Sequence, residues 1–175
     1  MKKIKYNILN LITVLVIFLS NLQAEIRPET RLAIDRGLQY LVSYQNLKLS
    51  PKENSDFGAF YENSEDYKYS IAITSFACLS LMANGNLPHQ GKYGINVAHG
   101  LNFILNNVNS ASGFITKDRD ESRMHGHGFA VLFLAEVYGM TSTKSEAERI
   151  HLKLKKATEL IIKNQTEDGG WGYMP

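Results

Sequence analysis

The sequence predicts an all-α fold in which helical hairpins repeat along the chain. Amphipathic helices alternate with helices that are apolar on every side, and a glycine–aromatic turn follows each amphipathic helix. A helix that is apolar all round is expected to be buried on all sides. We therefore expect the apolar helices to form an inner ring and the amphipathic helices an outer ring around it.

Three amphipathic helices are predicted over residues 30–46, 94–109 and 145–164, because apolar residues recur there at intervals of three and four. The polar segment 47–68 follows the first of them. It is long for a connection, so it is either ordered by packing or functional.

Two apolar helices are predicted over residues 69–83 and 126–138. The first has no charged residue after position 70, and Glu136 is the only charged residue of the second. Asparagine, glycine and proline in segment 84–88 end the first apolar helix.

The repeat is visible as an internal alignment. Residues 37–41 match residues 100–104, which lie 63 positions later, and these match residues 157–161, which lie a further 57 positions on. The apolar helices align as well, with residues 76–79 matching residues 129–132. An accidental similarity within an ordinary helical bundle is the alternative, and the agreement of three registers favours the repeat.

The last turn carries the most specific motif of the chain. It consists of Gln165, Gly169, Gly170, Trp171, Gly172 and Tyr173. This motif resembles the glutamine–tryptophan motif of the prenyltransferase and squalene-oxidase repeat family, which includes squalene–hopene cyclases. The resemblance extends over residues 30–175. The first repeat keeps Gln45 but has Phe57 and Phe60 after a long insertion, and the second has Val108 in place of the glutamine and Phe114 in place of the tryptophan.

The resemblance implies an α/α toroid, with Gln165 capping a helix end and Trp171 stacking on it. The stretch 124–140 is similar to uncharacterised exported bacterial members. A toroid needs roughly five to seven hairpins to close, and the sequence contains two and a half. We therefore expect a partial toroid that either belongs to a longer protein or associates with other copies to cover its core.

Residues 1–24 are predicted to be a signal peptide, and residues 25–175 the repeat domain. Three lysines precede an apolar run that is short for a membrane span, and Ala24 suits cleavage. The alternative is an uncleaved N-terminal membrane anchor. A signal peptide predicts a periplasmic or extracellular protein. Removing it leaves 16 basic and 17 acidic side chains, so we do not expect the mature chain to bind nucleic acid.

Two acids, Asp118 and Asp120, are the first catalytic candidates. Their segment is similar to the Asp-x-Asp-Asp motif of class II terpenoid cyclases, in which a protonated acid donates to an alkene. Here Glu121 replaces the last aspartate, and neighbouring lysine and arginine side chains favour ionised carboxylates. A solvated charged loop is the favoured interpretation.

Three further candidates lie at the start of the second apolar helix or within it. His125 and His127 could bind substrate, move a proton or hold a metal, but two residues separated by two positions do not share a helix face. Glu136 could act as a general acid in apolar surroundings. A structural role is favoured for all three.

Neither a metal site nor a cofactor is expected. Cys78 is the only cysteine, which excludes an internal disulfide and a cysteine cluster within one chain. The aspartate that accompanies the zinc cysteine in protein prenyltransferases is replaced by Phe76. A buried, apolar role is therefore favoured for Cys78.

Two functions remain open. The resemblance implies an exported enzyme of terpenoid-cyclase type, or a protein that binds an apolar polyisoprenoid-type ligand in a central cavity. The alternative is a non-catalytic binding or scaffold module on the same fold, which the lack of a complete catalytic constellation favours.

Overall fold

The computed structural model describes residues 26–48, 55–63, 67–141 and 143–175, and the predicted signal segment 1–24 lies outside them. Within these residues the chain is all-helical and contains no β-strand, as predicted. Among the same residues, no helix has the length and hydropathy that a membrane span requires. The five helices are α1 (Pro28–Ser43), α2 (Ser70–Ala83), α3 (Gly94–Asn106), α4 (Arg123–Tyr138) and α5 (Lys144–Lys163).

The chain divides into two compact units, Met1–Arg36 and Gly37–Pro175, with the division inside α1. Of the first unit the structure describes residues 26–36, in which every side chain except Ile34 is exposed. The second unit contains the other four helices and the turns between them, and the packing described below belongs to it.

Helices α2 and α4 form an inner layer. They pack against each other and run in the same direction. Ile71 lies beside Gly126 near the first turns of the two helices, and the rings of Phe76 and Phe129 lie 4.1 Å apart further along. Phe76 and Phe129, which align in the sequence, therefore meet across this layer.

Helices α3 and α5 form an outer layer, in which α2 packs against α3 and α4 packs against α5. Arg149 of α5 donates a hydrogen bond to Asn102 of α3 at 2.6 Å, and one turn later Lys153 donates to the carbonyl of Leu105 at 2.7 Å. The outer helices therefore also run in the same direction. This arrangement confirms the helical-hairpin repeat, while closure into a toroid stays a prediction.

Each amphipathic helix ends in a turn of the same construction. A single antiparallel bridge closes each turn, between Gln45 and Phe60 in the first, Val108 and Ile115 in the second, and Gln165 and Trp171 in the third. A glycine with positive φ lies two residues before the second bridge residue, namely Gly58 (92°), Gly113 (80°) and Gly169 (85°). The first bridge residues are spaced along the chain as the aligned helices are, so turn and helix repeat together.

Glycine is required in the first two turns for a second reason. Gly58 lies so close to the carbonyl of His99 in α3 that a Cβ atom would overlap it. Gly113 lies equally close to Lys156 in α5, 57 residues after His99. Each of these turns therefore packs backbone to backbone on the next outer helix.

The helix ends differ from the predicted ones where the turns intervene. Helix α1 ends at Ser43 and α3 at Asn106, three residues before the predicted ends, because the bridges at Gln45 and Val108 draw the backbone away. Helix α4 begins at Arg123, three residues before the predicted start. Burial of Met124 in the first turn favours this earlier start.

We expect opposite effects from one substitution at two aligned glycines. Gly100→Ala would push a Cβ atom into Cys78 Sγ, so overpacking should lower the free energy of unfolding by about 1–3 kcal/mol. Gly37→Ala meets no atom within 4 Å and should raise it by roughly 0.5–1 kcal/mol through helix propensity. Urea unfolding followed by circular dichroism measures both, and a change of the same sign would contradict the aligned packing.

Candidate functional site

One face of the inner layer consists of exposed and half-buried residues, and we call it the inner face. It consists of Ala72, Phe76, Leu79 and Ala83 on α2 and of the residues 53 positions later on α4, His125, Phe129, Leu132 and Glu136. On each helix these residues are four, three and four positions apart, which places them on one side. The two helices thus present matching rows of side chains.

The inner face corrects the expectation that the apolar helices are buried on all sides. Phe76 and Leu132 remain about half exposed, although Ala77, Cys78 and Ala130 on the same helices are buried. The physical reason is that the described residues leave the middle of this side of α2 and α4 uncovered, while Tyr173 packs on His125 at one end. These helices therefore carry more apolar surface than the described residues bury.

A pocket of about 330 Å³ lies at one end of the inner face. This volume is at the lower end of the range that binds small ligands. Glu136 supplies its only charged group. The pocket is lined by Leu79, Met82, Ala83, Leu132, Glu136 and Met140.

Two of the catalytic candidates lie at opposite ends of the inner face. His125 and Glu136 are both exposed and lie eleven positions apart on α4, which corresponds to roughly 16 Å along the helix. The ring of His125 lies 5.2 Å from that of Tyr173. Because proton transfer needs hydrogen-bond distance, these two residues cannot act as one acid–base pair.

The two aspartate candidates have separate environments. Asp120 accepts hydrogen bonds from the backbone N–H groups of Ile71 and Ser122, each at 2.9 Å, and from the hydroxyl of Ser122. It thereby satisfies an unpaired donor at the start of α2. Asp118 is exposed in the loop, with Arg119 4.0 Å away. The structure therefore does not bring the two carboxylates together.

His127 is fully buried and holds the second turn against α5. Its Nδ1 accepts from the backbone N–H of Ile115 at 3.1 Å, and its Nε2 lies 3.1 Å from the carbonyl oxygen of Ala157. Both contacts are satisfied by the neutral tautomer that carries its proton on Nε2. Burial lowers the pKa of His127 because the charged ring would lose its hydration, and the hydrogen bond to Ala157 opposes this partly.

Thr74 is the counterpart of His127 on α2, and the sequence interpretation missed it. Its hydroxyl oxygen accepts from the backbone N–H of Phe60 at 2.9 Å, as His127 accepts from Ile115. The aligned segments of the two apolar helices, extended by two residues, contained the signal. A threonine thus performs in one repeat what a histidine performs in the next.

Cys78 is buried against Gly100, and burial raises the pKa of its thiol. It has neither the exposure nor the cationic neighbours of a reactive cysteine. In the part of the chain that the structure describes, no three histidine, cysteine, aspartate or glutamate side chains could hold a metal ion together.

The glutamine–tryptophan motif makes local contacts in the third turn. Gln165 Nε2 donates to the carbonyl of Gly169 at 3.0 Å, and Trp171 Nε1 donates to the carbonyl of Ile161 at 2.8 Å. Gln165 therefore closes its own turn, and Trp171 ties that turn to the end of α5. The contact from a turn glutamine to the next helix occurs in the first turn instead.

In the first turn Gln45 links two repeats. Its Nε2 donates to the carbonyls of Gly58 at 3.0 Å and Asn96 at 2.9 Å, and its Oε1 accepts from Asn96 Nδ2 at 2.7 Å. Both side chains are buried. The sequence interpretation singled out Gln45 but missed Asn96, because a long-range partner leaves no signal in a local pattern.

We compared the chain with protein-family models, curated proteins and solved structures, and it matches none of them. The resemblance in the third turn thus remains a prediction.

The lowered pKa of His127 predicts a pH dependence of stability. The unfolded chain takes up a proton near pH 6.5, before the buried ring can, so unfolding becomes easier as pH falls through that value. His127→Thr should lower the free energy of unfolding by about 1–3 kcal/mol at pH 7.5, through lost hydrogen bonds, and flatten its decline between pH 7.5 and about 5.

Urea unfolding at several pH values measures this decline. His125→Thr is the matched control, since His125 is exposed on the same helix, and it should retain the decline of the parent protein. Part of the decline should survive in His127→Thr because burial also lowers the pKa of His99. An undiminished decline in His127→Thr would contradict the role of His127.

Proposed function

We propose that this chain is an exported repeat module that binds an apolar, polyisoprenoid-type ligand along its inner face, within an α/α toroid. The observation that carries the proposal is the exposed apolar row on α2 and α4, in which Phe76, Phe129 and Leu132 remain accessible. Large apolar patches on a protein surface commonly serve as binding sites.

The shape and polarity of the inner face favour a long, apolar ligand. The first and last residues of the row on each helix lie eleven positions apart, or roughly 16 Å. The middle of the row is wholly apolar. Its two polar residues lie at opposite ends of α4, His125 near the start and Glu136 near the end. A hydrocarbon chain could thus lie along the row while a polar head contacts one end.

Binding without turnover fits the polar groups of the described residues best. The carboxylate of Asp120 accepts a hydrogen bond at the start of α2, and both ring nitrogens of His127 make hydrogen bonds to the backbone. A terpenoid cyclase of this type uses clustered carboxylates, which keep one acid protonated so that it can donate to an alkene. The inner face carries a single carboxylic acid, Glu136. We therefore favour the binding module over the cyclase.

The test measures binding of farnesol, a short isoprenoid alcohol, by displacement of the apolar dye ANS. Leu132→Gln should weaken binding about tenfold, because loss of about 1.4 kcal/mol corresponds to burial of part of one leucine side chain. Leu152→Gln is the matched control, since Leu152 is an exposed leucine on α5, outside the inner face. It should bind like the parent protein.

Equal effects of the two substitutions, or the absence of saturable binding, would argue against the inner face as the binding site. Farnesol should also be recovered unchanged after long incubation, as measured by mass spectrometry. Conversion to a cyclic product that Glu136→Gln abolishes would replace the binding module with an enzyme.

Export is the second part of the proposal and rests on residues 1–24. N-terminal sequencing of the protein recovered from the cell envelope tests it. Cleavage after Ala24 should give a chain that begins at Glu25. A chain that retains its first residues and fractionates with the membrane would indicate the anchor instead.

A further inference from the structure

The third turn differs from the other two in what covers it. The second bridge residue is buried in the first two turns, where Phe60 is 2% and Ile115 1% exposed. Trp171 occupies the same position in the third turn and is 51% exposed. The third turn therefore has the construction of its counterparts without their cover.

The first two turns show which structure covers such a turn. Gly58 packs against His99, which is followed by Gly100, and Gly113 packs against Lys156, which is followed by Ala157. In both cases the small residue on the outer helix is buried. The cover is thus an outer helix that presents its backbone at a small residue.

Helix α1 presents the same feature without a covering turn. Gly37 aligns with Gly100 and Ala157, yet it is exposed and no atom lies within 4 Å of where its Cβ would be. One turn further on, Tyr40 is 56% exposed, whereas its counterpart Phe103 in α3 is 1% exposed. Among α1, α3 and α5, only α1 leaves the aligned position exposed.

We propose that the third turn of one copy packs on α1 of a second copy at Gly37. This contact would repeat between chains the packing of Gly58 on α3 and Gly113 on α5 within one chain. Gly169 takes the position of those glycines. The only atom within 4.0 Å of where its Cβ would be is Gln165 Nε2. Trp171 and Tyr40 lose their exposure to water on association, which supplies the driving force.

Charge supports the same pairing. Residue 36, the counterpart of His99 and Lys156, is an arginine, and the third turn carries Glu167 and Asp168. Docking brings these opposite charges to the same interface. Since the turn and α1 are different surfaces of one chain, the contact is head-to-tail, and it closes into a ring or extends into a filament.

The test follows association by sedimentation equilibrium and tryptophan emission. Trp171 is the only tryptophan, so its emission reports on the third turn alone. With rising protein concentration we expect the average mass to increase and the emission to shift to shorter wavelength over the same range.

Two substitutions block opposite sides of the contact. Gly37→Arg places a large side chain where the turn must dock, at a position with free space in the monomer. Gly169→Asn keeps a residue type that tolerates positive φ but fills the point of closest approach. Each should raise the dissociation constant at least about tenfold. Circular dichroism confirms that both variants fold.

A mixture of the two blocked variants distinguishes head-to-tail contact from other association. The free turn of Gly37→Arg can dock on the free α1 of Gly169→Asn, so the mixture should form a one-to-one dimer and nothing larger. Gln39→Arg and Lys163→Asn are the matched controls, as both positions are exposed and neither is predicted to touch the partner. They should associate like the parent protein.

A parent protein whose dissociation constant exceeds about 1 mM would overturn the proposal. Association that leaves the Trp171 emission unchanged would do so as well, as would a mixture of folded, blocked variants that stays monomeric. Farnesol binding at the inner face involves other residues, so failure of either proposal leaves the other measurable.

Discussion

The close approach of a glycine turn to the next outer helix is the contact on which the rest of this fold depends. Gly58 and Gly113 each combine a positive φ with a distance to the neighbouring backbone that excludes any side chain. This contact sets the position of each hairpin relative to the one before it. The hydrogen bonds of Gln45 with Asn96 reinforce it in the first turn.

The inner helices support the turns from the other side. Thr74 and His127 each accept the backbone N–H of the bridge residue, so a buried polar side chain satisfies a buried donor in both repeats. This role explains why a histidine can lie inside an apolar helix. A histidine that looks catalytic in the sequence is here part of the framework that fixes a turn.

The same repeat leaves two surfaces unpartnered in the described residues, and they differ in chemistry. The inner face has a wholly apolar middle suited to a hydrocarbon chain, because its helices carry more apolar surface than their described neighbours bury. The third turn is a compact backbone surface with Trp171 at its centre, suited to an outer helix. Ligand binding and self-association are therefore proposed for different parts of the molecule.

The sequence by itself determined the helices, their alternation and the register of the repeat, because hydropathy period and turn glycines are local properties of a chain. Only the tertiary structure decided which polar groups are functional candidates. His125 is exposed and His127 is buried, and Asp120 caps a helix that begins fifty residues earlier. The partner that satisfies or exposes a polar group comes from another part of the chain, and a local pattern does not encode it.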